Sequence, residues 1–192
     1  MGKFKRIATV FSDVAVIRPT VFEDDRGFFL ETYNREELAG VGILEEFVQD
    51  NISHSKKGVV RGLHYQAKKA QCKLVRVLQG KIFDVVVDIR KGSKTYGQHI
   101  GIELSSDDPC MLYIPIGFAH GFMALADNTD VMYKVTDYYA PEYDAGIRWN
   151  DPDLGISWPL EYYEIRDAIV SPKDAVLPML KDIQSPFSYQ EK

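Results

Sequence analysis

Cysteine and histidine are scarce in this chain of 192 residues: two cysteines, Cys72 and Cys110, and four histidines, His54, His64, His99 and His120. Two thiols are too few to staple a fold of this size. No long apolar run occurs either. The longest weakly polar stretch, Met111 to Ala126, is broken by Pro115, Gly117, His120 and Gly121 and falls short of the ~20 residues that cross a bilayer. Residues 1–11 hold no apolar run and no small-residue cleavage site, so the expected location is cytoplasmic, with no membrane span. Low-complexity segments, internal repeats and linker-like composition shifts do not occur. What is there is an ordinary globular mixture, 45% apolar and 27% charged, which argues against a disordered, collagen-like or coiled-coil chain. The length fits one domain over residues 1–192.

Positive charge is in deficit, 23 Lys and Arg against 28 Asp and Glu, for a net charge of −5. Such a balance carries no general footprint for nucleic acid. The deficit is uneven. Residues 54–94 hold eleven basic side chains against Asp84 and Asp88, a local +9, which leaves −14 for the rest of the chain. Two causes fit: a site that meets an anion, or lysines along strand edges, where they discourage edge-to-edge pairing.

Helix signals are few and strand signals many. β-rich runs occupy Val14–Arg18, Phe28–Tyr33, Phe47–Ser53, Val59–Gln66, Leu74–Leu78, Lys81–Ile89, His99–Leu104, Met111–Ile114, Gly121–Leu125 and Val131–Tyr138. Between them stand turn signals such as Asp25-Arg26-Gly27, Gln79-Gly80 and Ala126-Asp127-Asn128. In Lys81–Ile89 the residues Phe83, Val85, Val87 and Ile89 fall on one face. Two or three short helices are expected, among them one capped by Asn34 and one by Ser171 with proline at its first position. Ten short strands with few helices point to a mainly β fold, an antiparallel sandwich or jelly roll.

Two stretches set the chemistry: Gly58 to Gln66 with His64, followed by Lys73, and Pro115-Ile116-Gly117-Phe118-Ala119-His120. They resemble the paired motifs of the cupin superfamily, a jelly-roll barrel with a site in its mouth. Where metal-binding cupins carry a second histidine this chain has Gln66, and where they carry a glutamate it has Lys73. A charged ammonium cannot ligate a divalent cation and repels one, so no metal is expected. A cation at that place suits an anionic intermediate instead.

Within the cupins, several further segments narrow the match. They are Asp25-Arg26-Gly27-Phe28-Phe29, Phe47-Val48-Gln49-Asp50-Asn51, Arg61-Gly62-Leu63-His64, Lys73-Leu74-Val75-Arg76, Phe83 to Arg90, Tyr133-Lys134 and the late stretch Trp149 to Pro159. Together they resemble the dTDP-4-dehydrorhamnose 3,5-epimerase family over about Ile17 to Leu180. The resemblance implies a cofactor-independent isomerase that inverts C3 and C5 of a dTDP-4-keto-6-deoxyhexose, both carbons being acidified by the C4 ketone. Some relatives on this scaffold invert only C3 or only C5, or accept another nucleotide, so the alternative reading is a monofunctional 3- or 5-epimerase of a related nucleotide-4-ketohexose. A metal-dependent cupin oxygenase and a non-catalytic sugar-binding cupin are more distant ones.

The resemblance also implies roles. His64 is the base, since a neutral imidazole takes and returns protons near neutral pH. Lys73 stabilises the enolate, and Tyr133 is the acid on the opposite face. Residue type alone gives Tyr133 no preference over Tyr138 or Tyr139. Asp174 orients the base, with Asp84 the competing candidate. Substrate contacts fall to Arg26, Glu31, Gln49, Asp50, Asn51, Arg61, His120, Tyr139, Asp144 and Lys173, with Tyr139 stacking on the nucleobase. In the family an N-terminal strand reaches into the neighbouring subunit, so a homodimer is implied in which Arg26 and Glu31 complete the partner's site. Three positions depart from the family pattern: Cys72, Ile116 and Tyr65. Cys72, beside Lys73, is expected to adjust the pocket near the ketone.

Overall fold

The structure, a computed structural model, describes residues 2–191. Among these the strands are β1 (Phe4–Ala8), β2 (Ala15–Pro19), β3 (Val21–Asp24), β4 (Gly27–Leu30), β5 (Gln49–Ser55), β6 (Val59–Gln66), β7 (Lys73–Gln79), β8 (Lys81–Asp88), β9 (His99–Ser105), β10 (Met111–Ile114), β11 (Phe118–Ala124), β12 (Thr129–Val135), β13 (Asp144–Gly146) and β14 (Ile169–Val170). The helices α1 (Arg35–Gly40) and α2 (Pro172–Ala175) start at the expected caps. The Asn34 side chain accepts from the Glu36 and Glu37 N–H groups, and Ser171 from that of Asp174.

Two antiparallel sheets face each other, one ordered β1-β2-β10-β7-β12-β5 and the other β13-β6-β11-β8-β9. β14 pairs in parallel with β6. β3 and β4 form a separate hairpin. This is the mainly β architecture expected of the strand pattern, and it is cupin-like as the motif resemblance implied. Between the sheets lies a core that includes Val75, Val77, Ile82, Val86, Leu112, Ile114, Phe118, Phe122 and Val131.

The second sheet is covered on both faces. Phe83, Val85, Val87 and Ile89 do share a face, but it is the outer one, packed beneath residues of the C-terminal third such as Ile147, Leu154 and Trp158. The inner face of β8 carries Ile82 and Val86 together with two carboxylates, Asp84 and Asp88, both fully buried. Alternation thus identified a buried face correctly, while the polar residues on the opposite face mark the barrel interior.

Where strand limits differ from expectation, pairing is the reason. β11 begins at Phe118 rather than Gly121, because Phe118, Ala119 and His120 continue the ladder with Asp88, Val87 and Val86. β12 stops at Val135, and residues 136–140 leave the sheet. β1, β3, β13 and β14 carry too little alternation or length to read from sequence, and they form on ladders that neighbouring strands supply.

Candidate active site

The site begins with a break in alternation. Arg61 and His64 are three residues apart in β6, so a regular strand would send them to opposite faces. β6 pairs His64 with His120 but Arg61 with Phe122, a register shift that marks a bulge between them. The bulge brings both side chains to the barrel interior. It depends on glycine: a Cβ on Gly62, whose φ is +123°, would lie 2.5 Å from the Gly121 Cα, and one on Gly121 would lie 2.5 Å from the Arg61 carbonyl oxygen.

From that bulge the C-terminal segment is tied down. β14 runs beside Val59 and Val60, and α2 then turns over Gly62, whose N–H donates to Asp174 Oδ2 at 3.2 Å. Asp174 Oδ1 lies 2.7 Å from His64 Nε2. Burial alone would raise the Asp174 carboxyl, but His64, the Gly62 N–H and Lys173 outweigh it and hold the group below its ordinary range. An ionised carboxylate only accepts, so His64 Nε2 carries the proton and Nδ1 is left as the basic nitrogen. Of the two aspartates competing in sequence, Asp174 is the one on His64. Asp84 serves a second pair: both its oxygens lie within 3.0 Å of His120 Nε2. Burial pushes the His120 pKa down, Lys73 and His64 push the same way, and Asp84 opposes them.

The facing sheet supplies the other wall. Along β7, Lys73 keeps the parity of the inward Val75 and Val77, and along β12 Tyr133 keeps that of Val131. The Lys73 side chain crosses the barrel, its Nζ donating to the His64 carbonyl at 3.3 Å. Desolvation brings its pKa down to about 8, against the pull of Asp84 and Asp144. Burial pushes the Tyr133 phenol up, with Arg61 opposing, so the hydroxyl keeps its proton at neutral pH.

A cavity of about 580 Å³ opens between these walls, lined by Arg61, His64, Gln66, Gln71, Lys73, His120, Tyr133, Tyr139, Asp144, Lys173 and Asp174, with apolar contributions from Val59, Val60, Phe122 and Ile169. At its mouth Asp144 joins two other residues, accepting from the Tyr139 hydroxyl at 3.0 Å and from Lys173 Nζ. Arg61 donates to Ser55 Oγ at 3.0 Å and to the His54 carbonyl at 2.9 Å. Of the eleven basic residues in 54–94, Arg61 and Lys73 line this cavity. Others are occupied elsewhere, Arg90 with Asp88 and Asp13, and Lys81 with Glu103.

Five of the predicted binding residues do not line the cavity. Asn51 stands opposite Tyr133 on the β5–β12 ladder, and its Oδ1 accepts from Gln49 Nε2 at 2.8 Å. Asp50, between them, points to the outer face and pairs with Lys134 at 2.8 Å. Arg26 lies on the β3–β4 turn with its guanidinium on Asp24, and Glu31 pairs with Lys3. The hairpin also exposes Phe22, Phe28 and Phe29 by 52%, 67% and 67%, apolar area that a lone chain leaves in water. Cys72 corrects one expectation. It is buried on the outer side of β7 among Leu74, Met111 and Tyr113, its Sγ 3.9 Å from the Tyr113 hydroxyl, because neighbours in a strand face opposite ways.

Gln66 and Gln71 are cavity residues that sequence reasoning did not assign to binding or catalysis. The only signal for Gln66 was its place in the first cupin motif. Among the described residues, no three His, Cys, Asp or Glu side chains come together in a metal-holding arrangement, and no helix is long and apolar enough to cross a membrane.

Comparison with known proteins adds the remaining finding. A family model described as dTDP-4-dehydrorhamnose 3,5-epimerase matches residues 8–182. A dTDP-4-dehydrorhamnose 3,5-epimerase of Methanothermobacter thermautotrophicus is 51% identical over 174 residues, 91% of this chain and 93% of that one. The corresponding Escherichia coli protein is 47% identical over 179 residues, 92% and 95% of the two chains. A crystal structure of dTDP-6-deoxy-D-glucose-3,5-epimerase from Legionella pneumophila, in complex with dTDP-4-keto-L-rhamnose, superposes with a TM-score of 0.93. It is 44% identical, and the match covers 98% of this chain and 100% of that one.

Proposed function

The chain belongs to the dTDP-4-dehydrorhamnose 3,5-epimerase family, and from that premise we propose how its own residues carry the reaction. It is an isomerase of dTDP-sugars, converting dTDP-4-dehydro-6-deoxy-D-glucose to dTDP-4-dehydro-L-rhamnose. His64 Nδ1 removes the proton from C3 or C5, and Asp174 supports the imidazolium that forms. The electron pair moves onto the C4 oxygen, where the Lys73 ammonium meets the developing charge. Tyr133 delivers a proton to the opposite face of the same carbon, which inverts it. The observation that carries this reading is the opposition of His64 and Tyr133 on facing sheets with Lys73 reaching between them. A base and an acid on the same wall would return the proton to the face it left.

Arg61 and Lys173 supply cations for the diphosphate, Tyr139 an aromatic face for the base, and His120 a neutral imidazole for the sugar. The exposed aromatic hairpin supports a homodimer in which Arg26 and Glu31 reach the partner's cavity. One domain over 1–192 and a cytoplasmic location complete the reading, the latter supported by two free, buried thiols.

Incubation with dTDP-4-dehydro-6-deoxy-D-glucose in deuterium oxide tests the double inversion by mass spectrometry and NMR. Label is expected at both C3 and C5; label at one carbon alone would replace this reading with a single-site epimerase. Tyr133→Phe separates the two half-steps. Wash-in is expected to persist while product formation falls about 100-fold or more, in the range of one general acid. Unimpaired product formation would remove Tyr133 from the acid role.

A further inference from the structure

Gln66 stands where metal-binding cupins carry their second histidine, and none of the steps above uses it. Its side chain is buried, 5% exposed, and its contacts are to loop backbone. Oε1 accepts the Ala140 N–H at 2.7 Å, while Nε2 donates to the Lys69 carbonyl at 2.7 Å and the Tyr138 carbonyl at 3.3 Å. The bonds to residues 138 and 140 flank Tyr139 on both sides. Two other glutamines join in: Gln49 Oε1 accepts the Tyr139 N–H at 3.0 Å, and Gln71 Nε2 donates to the Asp137 carbonyl at 2.7 Å. Residues 137–140 lie outside any strand or helix, so these carboxamides satisfy backbone groups that would otherwise sit in a ladder. The Tyr139 residue is 55% exposed, so burial does little to hold its ring. Its conformation rests on the clamped backbone and the hydroxyl bond to Asp144.

We propose that Gln66 is a positioning residue for nucleotide recognition, clamping the peptide groups on either side of Tyr139 so that the exposed ring is held ready to stack on the base. The inference rests on the nucleotide-sugar reading above. An ordered aromatic platform binds a base without first losing the entropy of a mobile loop. Gln66 takes no part in proton transfer; the residue that replaces a metal ligand has become a loop clamp.

Gln66→Leu removes all three bonds at once. By titration calorimetry the variant is expected to bind dTDP about tenfold more weakly, a part of what one stacked base contributes, and to bind inorganic diphosphate, which has no base, like the parent protein. KM should rise by a similar factor while deuterium wash-in at saturating substrate stays the same. In a Tyr139→Ala background, Gln66→Leu should add nothing to the loss of dTDP affinity. Undiminished dTDP binding, equal loss for dTDP and diphosphate, or a full additive effect on Tyr139→Ala would each overturn the proposal. Should Gln66→Leu fail to fold, Gln71→Leu removes one bond of the same clasp and is held to the same dTDP-against-diphosphate comparison. Failure of the parent protein to bind dTDP would instead sink the nucleotide-sugar reading itself.

Discussion

His64→Ala is expected to abolish deuterium wash-in at C3 and C5 together and to lower turnover by about 10³–10⁴-fold, the upper part of the range for one general base. The loss should be joint because one base, His64, held through Nε2 by the Asp174 carboxylate at 2.7 Å, is assigned to both carbons. His120, the other histidine lining the cavity, has its Nε2 on Asp84 and its pKa pushed down by burial, which makes it a poor substitute. Asp174→Asn should reproduce much of the defect with the ring still present, because an amide can donate to Nε2 and favour the wrong tautomer. Wash-in at one carbon surviving in His64→Ala would mean that a second base serves that carbon.

Lys73→Met should cost about 10²–10³-fold in turnover, the loss typical of removing one preorganised donor at a developing oxyanion, with little change in dTDP affinity. Its pH signature follows from burial, which brings the Lys73 pKa down from 10.5 to about 8. Below about 8 the ammonium is charged and the enolate is stabilised; as pH rises through 8 the charge is lost and the rate should fall. That alkaline limb should vanish in Lys73→Met.

Stability moves the other way. Between the folded value near 8 and the unfolded 10.5, the unfolded chain binds the proton more tightly, so this group's contribution to stability improves as pH climbs through that window. At neutral pH the buried ammonium is a cost, and Lys73→Met should raise the melting temperature while disabling the enzyme. A variant that loses activity and melts lower would point to disrupted packing rather than lost charge stabilisation.

Strand content, the two helix caps and the apolar face of β8 formed by Phe83, Val85, Val87 and Ile89 were legible because each rests on neighbours in sequence: alternation, a capping oxygen, a proline at the first helical position. The site residues could be named because the family resemblance carried them position by position, but their arrangement could not. Asp174 was named as the group orienting His64 on the resemblance alone, with Asp84 its competitor, and what puts Asp174 there is the path of the C-terminal segment, which pairs β14 with β6 and delivers Asp174 onto Gly62. Asp50 was grouped with Gln49 and Asn51, yet alternation along β5 turns it outward to Lys134. Cys72 was credited with shaping the pocket by adjacency to Lys73, when adjacency in a strand sends it to the other face.

Taken alone, the sequence determined the fold class, the replacement of metal ligands by Gln66 and Lys73, and the set of groups from which a base, an acid and an enolate stabiliser are drawn. The fold class follows from residue type and local spacing; the ligand replacement and the set of reacting groups come from comparing positions with the motifs that the chain resembles. Only the tertiary structure decided which wall each group occupies and what holds it there. The bulge at Gly62 put Arg61 and His64 on one face, and facing sheets set His64 against Tyr133. The Gln66 carboxamide bridges loops at 69 and 138–140. The physical reason is that inversion depends on opposed faces and on fixed nitrogen tautomers. Both are set by contacts between segments many residues apart, to which no periodicity within a segment responds.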